Sequence, residues 1–202
     1  MPSEPSLGPF ILPRIASGLI GMPWSNSESN LTTFFKLLSP GPGEKILDVG
    51  AGRGTLADKV RIKGTSEVHA ADHSRARVAK MQETYPLLKS CLADSESLPY
   101  PDSYFDKVYS TLAMHHFSDQ RKSIEEFARV LKPMGLLVIV EIQPGSAQGK
   151  FLRLFENGIV RSHMKFLEMN QLAEVLKEQG RFETKTMTTG SFVYFVESRK
   201  GN

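Results

Sequence analysis

The chain has 202 residues, 40% hydrophobic and 23% charged, enough for one well-buried domain, and its composition is that of a folded globular protein rather than a disordered one. A formal net charge of +3 over this length is too weak an electrostatic footprint for dedicated nucleic-acid binding. The single cysteine, Cys91, excludes an internal disulfide and any multi-cysteine metal site, and fits a reducing, cytoplasmic setting.

Residues 1–28 mix Phe10, Ile11, Leu12, Ile15, Leu19, Ile20, Met22 and Trp24 with glycine and proline. Glu4, Arg14, Pro9, Pro13 and Pro23 break the stretch, so it reads as neither a signal peptide nor a membrane span. It is too apolar for a free tail. A lid that forms part of an acceptor pocket, padding for a sheet edge and a dimer surface are all open to it. A helix is predicted next, capped by Ser29 or Asn30 and running through Leu31, Phe34, Phe35, Leu37 and Leu38 until Pro40-Gly41-Pro42-Gly43 stops it. We take residues 1–43 as an N-terminal extension and residues 44–202 as the main domain.

The stretch Ile46-Leu47-Asp48-Val49-Gly50-Ala51-Gly52-Arg53-Gly54-Thr55-Leu56-Ala57 reads as strand, turn, helix. Its first four residues are a short run suited to a buried parallel strand. Gly50, Gly52 and Gly54 then allow backbone angles that a Cβ would obstruct. A helix starting near Thr55 points its amides at whatever sits on the turn. A dinucleotide fingerprint needs its third glycine where this chain has Thr55, so that match fails. A carboxylate at Asp48 suits a cationic ligand better than a pyrophosphate. Taken alone, the turn is also compatible with no ligand at all.

The helix after this turn is predicted to run through about Ile62, and a second strand, Glu67–Asp72, ends in an acid placed to accept hydrogen bonds from ribose hydroxyls. Asp72 also suits a helix N-cap, but Ser74 is available for that duty before Arg75. The helix it opens ends near Tyr85-Pro86. A third strand, Leu88–Ala93, holds Cys91 as a small buried residue and closes at Asp94-Ser95, where Asp94 is placed to accept from an adenine amino group. A fourth strand, Phe105–Ser110, leads into Thr111–Asp119, which is expected to border any ligand seated on the glycine turn. A helix over Gln120–Leu131 precedes an almost wholly apolar fifth strand, Leu136–Ile142. Helices around Lys150–Val160 and Met169–Glu178 follow, then strands Phe182–Met187 and Phe192–Glu197 flanking a Thr188–Ser191 turn. The basic clusters Lys59, Arg61, Lys63 and Arg75, Arg77, Lys80 read as solvated helix faces. This order predicts a mostly parallel sheet with one antiparallel strand.

Four blocks in this order resemble the class I S-adenosylmethionine-dependent methyltransferases, of the small-molecule type that includes the ubiquinone and menaquinone biosynthesis enzymes. They are Leu47–Gly54, Asp72, Ala93–Asp106 and Ala128–Gly135. The resemblance implies a single Rossmann-like domain: a mostly parallel seven-stranded sheet, helices on both faces and a C-terminal antiparallel hairpin. It implies S-adenosyl-L-methionine as cofactor. Asp48, Gly50, Ala51, Gly52 and Arg53 lie against its methionine part, Asp72 with His73 at the ribose, Asp94 and Ser95 beside adenine, and Thr111 along the site. Two positions depart from the pattern. Met134 stands where a second glycine is common, and is expected to be accommodated by apolar packing. His115-His116 replaces the Arg-Asn of the quinone enzymes.

Methyl transfer from a sulfonium needs chiefly proximity and orientation. Where the acceptor must lose a proton, His115 or His116 is the best-placed base, the other reading of both being pocket wall or helix cap. His69 and His163 are weaker candidates. Glu141 either faces the acceptor or is a hydrogen-bonded structural acid. The expected partner is a small-molecule methyl acceptor, with no metal and with a monomer or homodimer as the working form. The competing readings are an RNA or protein methyltransferase and a catalytically inactive cofactor-binding partner protein.

Overall fold

Odd and even residues of the first strand, β1 (Lys45–Val49), face opposite sides of the sheet: Leu47 and Val49 join one apolar layer and Ile46 the other. The strand is buried on both faces, as a parallel strand flanked by helices must be. The computed structural model describes residues 27–155, 165–189 and 192–201. Expectations for residues 1–26, for the far end of the Lys150–Val160 helix, for His163 and for Gly190-Ser191 lie outside the described residues.

The chain runs α1 (Glu28–Leu38), β1, α2 (Thr55–Gly64), β2 (Glu67–Asp72), α3 (Arg75–Thr84), β3 (Lys89–Leu92) and β4 (Phe105–Thr111). A 3₁₀ turn (Met114–His116), α4 (Gln120–Val130), β5 (Leu131–Ile142), α5 (Ala147–Phe155), α6 (Met169–Glu178), β6 (Phe182–Thr189) and β7 (Val193–Lys200) complete it. The strands form one seven-stranded sheet in the order β3-β2-β1-β4-β5-β7-β6. Pairing is parallel from β3 to β5, and β7 runs antiparallel between β5 and β6. This is the predicted Rossmann-like architecture with its terminal hairpin. The order reverses between β1 and β4, which opens a crevice at the carboxyl ends of the strands.

Helices α1, α2 and α3 cover one face through Phe34, Leu38, Val60, Val78 and Met81; α4 and α6 cover the other through Ile124, Phe127, Leu172 and Leu176. Charged staples fix the loops between them. Lys107, 8% exposed, donates to Ser39 O at 2.5 Å and pairs with Glu44 at 2.8 Å, fastening the segment after α1 to β4. Arg129 donates to the carbonyls of Tyr100 and Leu98 at 2.7 and 2.9 Å while gripping Glu126, so the loop before β4 is held from α4. That grip keeps the Glu126 carboxyl below the usual range.

Several boundaries move from their predicted places. The first helix is capped two or three residues early, at Ser27, whose hydroxyl meets Ser29 Oγ at 3.1 Å and makes no cap hydrogen bond. The fourth helix stops at Val130, because Leu131 already pairs with Phe105 and belongs to the sheet. β5 therefore begins five residues before its apolar run, and a register shift absorbs Lys132–Gly135. Thr188 and Thr189, expected in a turn, extend β6. Cys91 is half-buried rather than buried, with Sγ 3.1 Å from the Tyr100 hydroxyl.

Met134 corrects a further expectation. It is 58% exposed, so apolar packing does not accommodate it, and its φ of 61° lies in the left-handed region. A non-glycine residue there carries a backbone cost of about 1–2 kcal/mol, partly offset by its lower unfolded-state entropy. Met134→Gly is expected to gain roughly 0.5–1 kcal/mol and raise the melting temperature by about 1–4 °C; calorimetric scanning that shows a lower melting temperature would contradict this.

Candidate active site

The three glycines of the turn after β1 all have positive φ: 79° at Gly50, 60° at Gly52 and 77° at Gly54. The amides of Gly50 and Ala51 both donate to Ala71 O, at 2.9 and 3.0 Å, which ties the turn to the end of β2. A Cβ added at Gly50 would lie 2.3 Å from Ala113 Cβ, and one at Gly54 2.8 Å from Met81 Cγ. At Gly52 it would meet nothing within 4 Å. The first and third glycines are thus required by packing, whereas the second keeps space free.

That free space belongs to a cleft over the strand ends. One lobe, about 350 Å³, is lined by Gly50–Arg53, Thr55, Leu56, Asp72, His73, Arg77, Thr111–Ala113, His116 and Phe117. A second, about 170 Å³, adds Val49, Ala93–Ser95 and Ser118. Gly50, Asp72, His73, His116 and Phe117 border both. A larger hollow of about 610 Å³ between α1 and α2 contains none of the predicted site residues, so the strand-end cleft is the candidate site.

Asp72 organises the cleft. Its side chain is 1% exposed; Oδ2 accepts from Gly52 N at 2.8 Å and Oδ1 from Ser74 N at 2.9 Å. The N-cap position itself belongs to Ser74, as the sequence suggested, and Asp72 braces it from two residues upstream. It bonds the amide beside the start of α3, where Ser74 occupies the N-cap without a side-chain bond, and it also fixes the second glycine of the turn. Arg77 Nη1 stands 3.6 Å from Oδ2 and His73 Nδ1 3.8 Å from Oδ1. Arg77 lines the cleft, although the sequence reading assigned it to a solvated helix face. Its signal was positional: it lies in the first turn of the helix that Asp72 precedes.

The other two acids predicted for the site, Asp48 and Asp94, sit differently from Asp72. Asp48 is 1% exposed, among the residues of the α1–α3 side, behind the turn rather than on the cleft wall. Burial, with Asp72 adding to it, pushes its carboxyl up to about 8. Tyr109, its register partner on β4, tempers the shift, yet Asp48 Oδ1 and the Tyr109 hydroxyl both lack a hydrogen-bond partner. Asp94 is exposed and caps its own loop through Glu96 N at 3.0 Å. Ser95 lines the cleft, and its hydroxyl is 2.9 Å from Ser123 Oγ.

The histidines part company. His116 opens onto both lobes. His116 is exposed at the cleft mouth, and what desolvation it has, then His115, Arg77 and His73, act to lower its pKa. His115 is 5% exposed, its Nδ1 2.8 Å from Glu141 Oε2. Glu141, 5% exposed, also accepts from Met114 N at 3.1 Å and Ile142 N at 3.2 Å. The hydrogen-bonded reading of Glu141 is the observed one. His69 sits elsewhere, bonded to Glu67 at 2.9 Å and packed against Tyr100, Tyr104 and Phe105.

Residues 47–139 match a family model described as a methyltransferase domain. These are the residues that build the cleft from β1 to the middle of β5. That stretch is similar to a methyltransferase domain, and the sheet it builds has the fold of solved S-adenosylmethionine-dependent methyltransferases. Among relatives, the chain is 34% identical over 106 residues to the ubiquinone/menaquinone biosynthesis C-methyltransferase UbiE of Laribacter hongkongensis, covering 50% of this chain and 43% of that one. It is 29% identical over 151 residues to the mitochondrial arginine-hydroxylase NDUFAF5 of Rattus norvegicus, covering 71% and 43%. The chain thus spans less than half the length of these curated relatives. The fold is shared with a putative methyltransferase solved in complex with the Haloferax volcanii Trm112 activator, at a TM-score of 0.78 and 15% identity over 98% of this chain and 100% of that one. It is shared too with an S-adenosylmethionine-dependent methyltransferase from Mesorhizobium loti, at 0.74 and 19% over 88% and 100%.

S-adenosylmethionine is the cofactor named for solved methyltransferases of this fold, and the cleft fits it. The space at Gly52 admits a ligand against the backbone, and Asp72 keeps acceptor capacity on each oxygen beyond its single amide bond. Among the described residues no group of three His, Cys, Asp or Glu is arranged to hold a metal ion. No described helix is long and apolar enough to cross a membrane.

Proposed function

We propose that the chain moves a methyl group from S-adenosylmethionine to a small-molecule acceptor, working in the cytoplasm as a monomer or homodimer. The observation that carries this is the Gly50–Gly54 turn, whose middle glycine leaves open space while its amide is locked to Asp72. The likeness to quinone-biosynthesis C-methyltransferases supports the small-molecule class; the single cysteine supports the compartment.

When bound, the cofactor supplies a methyl group on a positively charged sulfur, already activated for displacement. The protein's part is to hold and orient. Asp72 accepts from ribose hydroxyls, with Arg77 and His73 steadying its charge. The turn from Gly50 to Arg53 lies along the methionine part, and Asp94 with Ser95 flanks adenine. Thr111 to Phe117 walls the side from which the acceptor approaches, and Phe117 excludes water there.

The test is ligand-dependent stability. At a hundredfold excess over its dissociation constant, S-adenosylmethionine stabilises a binder by about 2.7 kcal/mol, or roughly 5–11 °C here. That shift is expected to exceed the one from NAD. Asp72→Asn, which keeps an acceptor for one amide but loses the charge, is expected to weaken binding about 10- to 100-fold by calorimetry. Equal shifts for the two cofactors would refute the reading. Transfer of a radiolabelled methyl group to extract then identifies the acceptor fraction: label in lipid or small-molecule fractions supports the proposal, label in RNA or protein moves the acceptor to another class.

A further inference from the structure

The hollow between α1 and α2 lies apart from the cleft and serves no step described above. Its floor is apolar: Leu31 and Phe35, one turn apart on α1, are half-buried beneath it, and Phe35 meets Phe34 edge-on at 5.3 Å. Its charges are unevenly placed. Glu28 stands in the first turn of α1, whereas Lys36 is in the last turn of α1 and Lys63 in the last turn of α2. The two last turns approach closely, since a Cβ on Gly64 would stand 2.6 Å from Pro40 Cβ, and Lys63 Nζ lies 5.1 Å from the centre of the Phe35 ring. Lys59, one turn before Lys63, lines the same wall. Like charges four residues apart weaken a helix, and among the described residues none of the three lysines has an ion pair. A lysine near a helix C-terminus is ordinary; three of them from two helices, unpaired around one apolar floor, call for an anion.

We propose that this hollow binds a single-chain amphiphile with an anionic head, of the fatty-acid carboxylate class. Charge complementarity seats the head among Lys36, Lys59 and Lys63, and the tail runs over Phe35 and Leu31 towards Glu28, whose own charge turns the head away from that end. The volume, about 610 Å³, falls within the roughly 300–1,000 Å³ of small-molecule sites. The lysine stems are apolar along their length, so they cover the tail while their ammonium groups stay at the rim. A bilayer fits less well, because its flat surface does not reach Leu31 and Phe35, which are recessed between the helices. Binding here is noncovalent and uses no cofactor. It therefore stands whether or not the cleft transfers methyl groups.

The experiment uses the full chain without cofactor and titrates laurate, below its critical micelle concentration, by calorimetry. Dodecyltrimethylammonium serves as the cationic probe of equal chain length, and phosphatidylglycerol vesicles as a separate arm. Wild type is expected to bind laurate saturably, about tenfold or more tightly than the cationic probe, with an affinity that falls as salt rises from about 50 to about 500 mM. The double variant Lys59→Glu with Lys63→Glu is expected to reverse this preference, losing about tenfold or more for laurate and gaining affinity for the cation. Its melting temperature checks that it folds; if it does not, Lys63→Gln alone carries the comparison, with a smaller loss in the same direction. Laurate binding that the reversal leaves unchanged would put the ligand elsewhere on the molecule and overturn the proposal. Equal binding of the two probes, no saturable binding of laurate, or sedimentation with the vesicles in place of laurate binding would overturn it too.

Discussion

Asp48→Asn is expected to stabilise the ligand-free protein at pH 7 by roughly 2–4 kcal/mol, raising its melting temperature by about 5–15 °C. The folded carboxyl titrates at about 8 against 3.8 in an unfolded chain, because burial disfavours its charge. Between those values the folded chain holds a proton that the unfolded chain has released. Stability from this group is therefore fully present below pH 3.8 and is lost as pH rises towards 8. Asparagine matches the neutral carboxyl in shape, offers a donor to the unpartnered Tyr109 hydroxyl and ends the pH dependence. Denaturant unfolding at pH 4, 6 and 8 measures it. The gap between variant and wild type should widen steadily with pH, and a constant gap would mean that Asp48 is ionised in the fold.

Gly50→Ala is expected to do the reverse, with a loss of roughly 2–5 kcal/mol and a fall of about 5–15 °C. Two costs combine. At a φ of 79° any side chain is strained, and the added methyl would stand 2.3 Å from Ala113 Cβ. Relief requires the turn and the segment after β4 to part, which opens the floor shared by both lobes, so cofactor affinity should fall at least tenfold alongside stability. The double variant Gly50→Ala with Ala113→Gly removes the contact but leaves the backbone strain, and is expected to recover about half the stability. A single variant as stable as wild type would show that the turn tolerates a Cβ, and with it that the close approach is not needed.

Local signals carried much of this architecture. The apolar run Ile46–Val49, the glycines after it and the acids ending the next strands placed β1, the turn and Asp72 correctly, because strand burial and positive φ leave direct marks on residue choice. Leu131 did not announce its strand: it continues the apolar spacing of α4, and only pairing with Phe105 claims it for the sheet. Met134 looked like a packing residue and is strained and exposed, since hydropathy carries no information about φ. Arg77 was hidden among helix-surface basic residues, and which of them overhangs a carboxylate is decided by the α3 rotation above the sheet. The bond between His115 and Glu141 joins two strand ends 26 positions apart, a pairing that strand register creates and spacing alone does not reveal.

The sheet order also separates two inheritances within the molecule. Everything that lines the two lobes of the cleft hangs from β1, β2, β4 and the loop after β3, all in the parallel half. Glu141 stands where β5 changes company, with β4 on one side and antiparallel β7 on the other. A graft exchanged at Gln143, carrying another chain's C-terminal third onto this one, would leave the donor half intact and replace the groups around Glu141. Divergence in what such chains methylate can therefore accumulate on one flank of the sheet without disturbing what they methylate with.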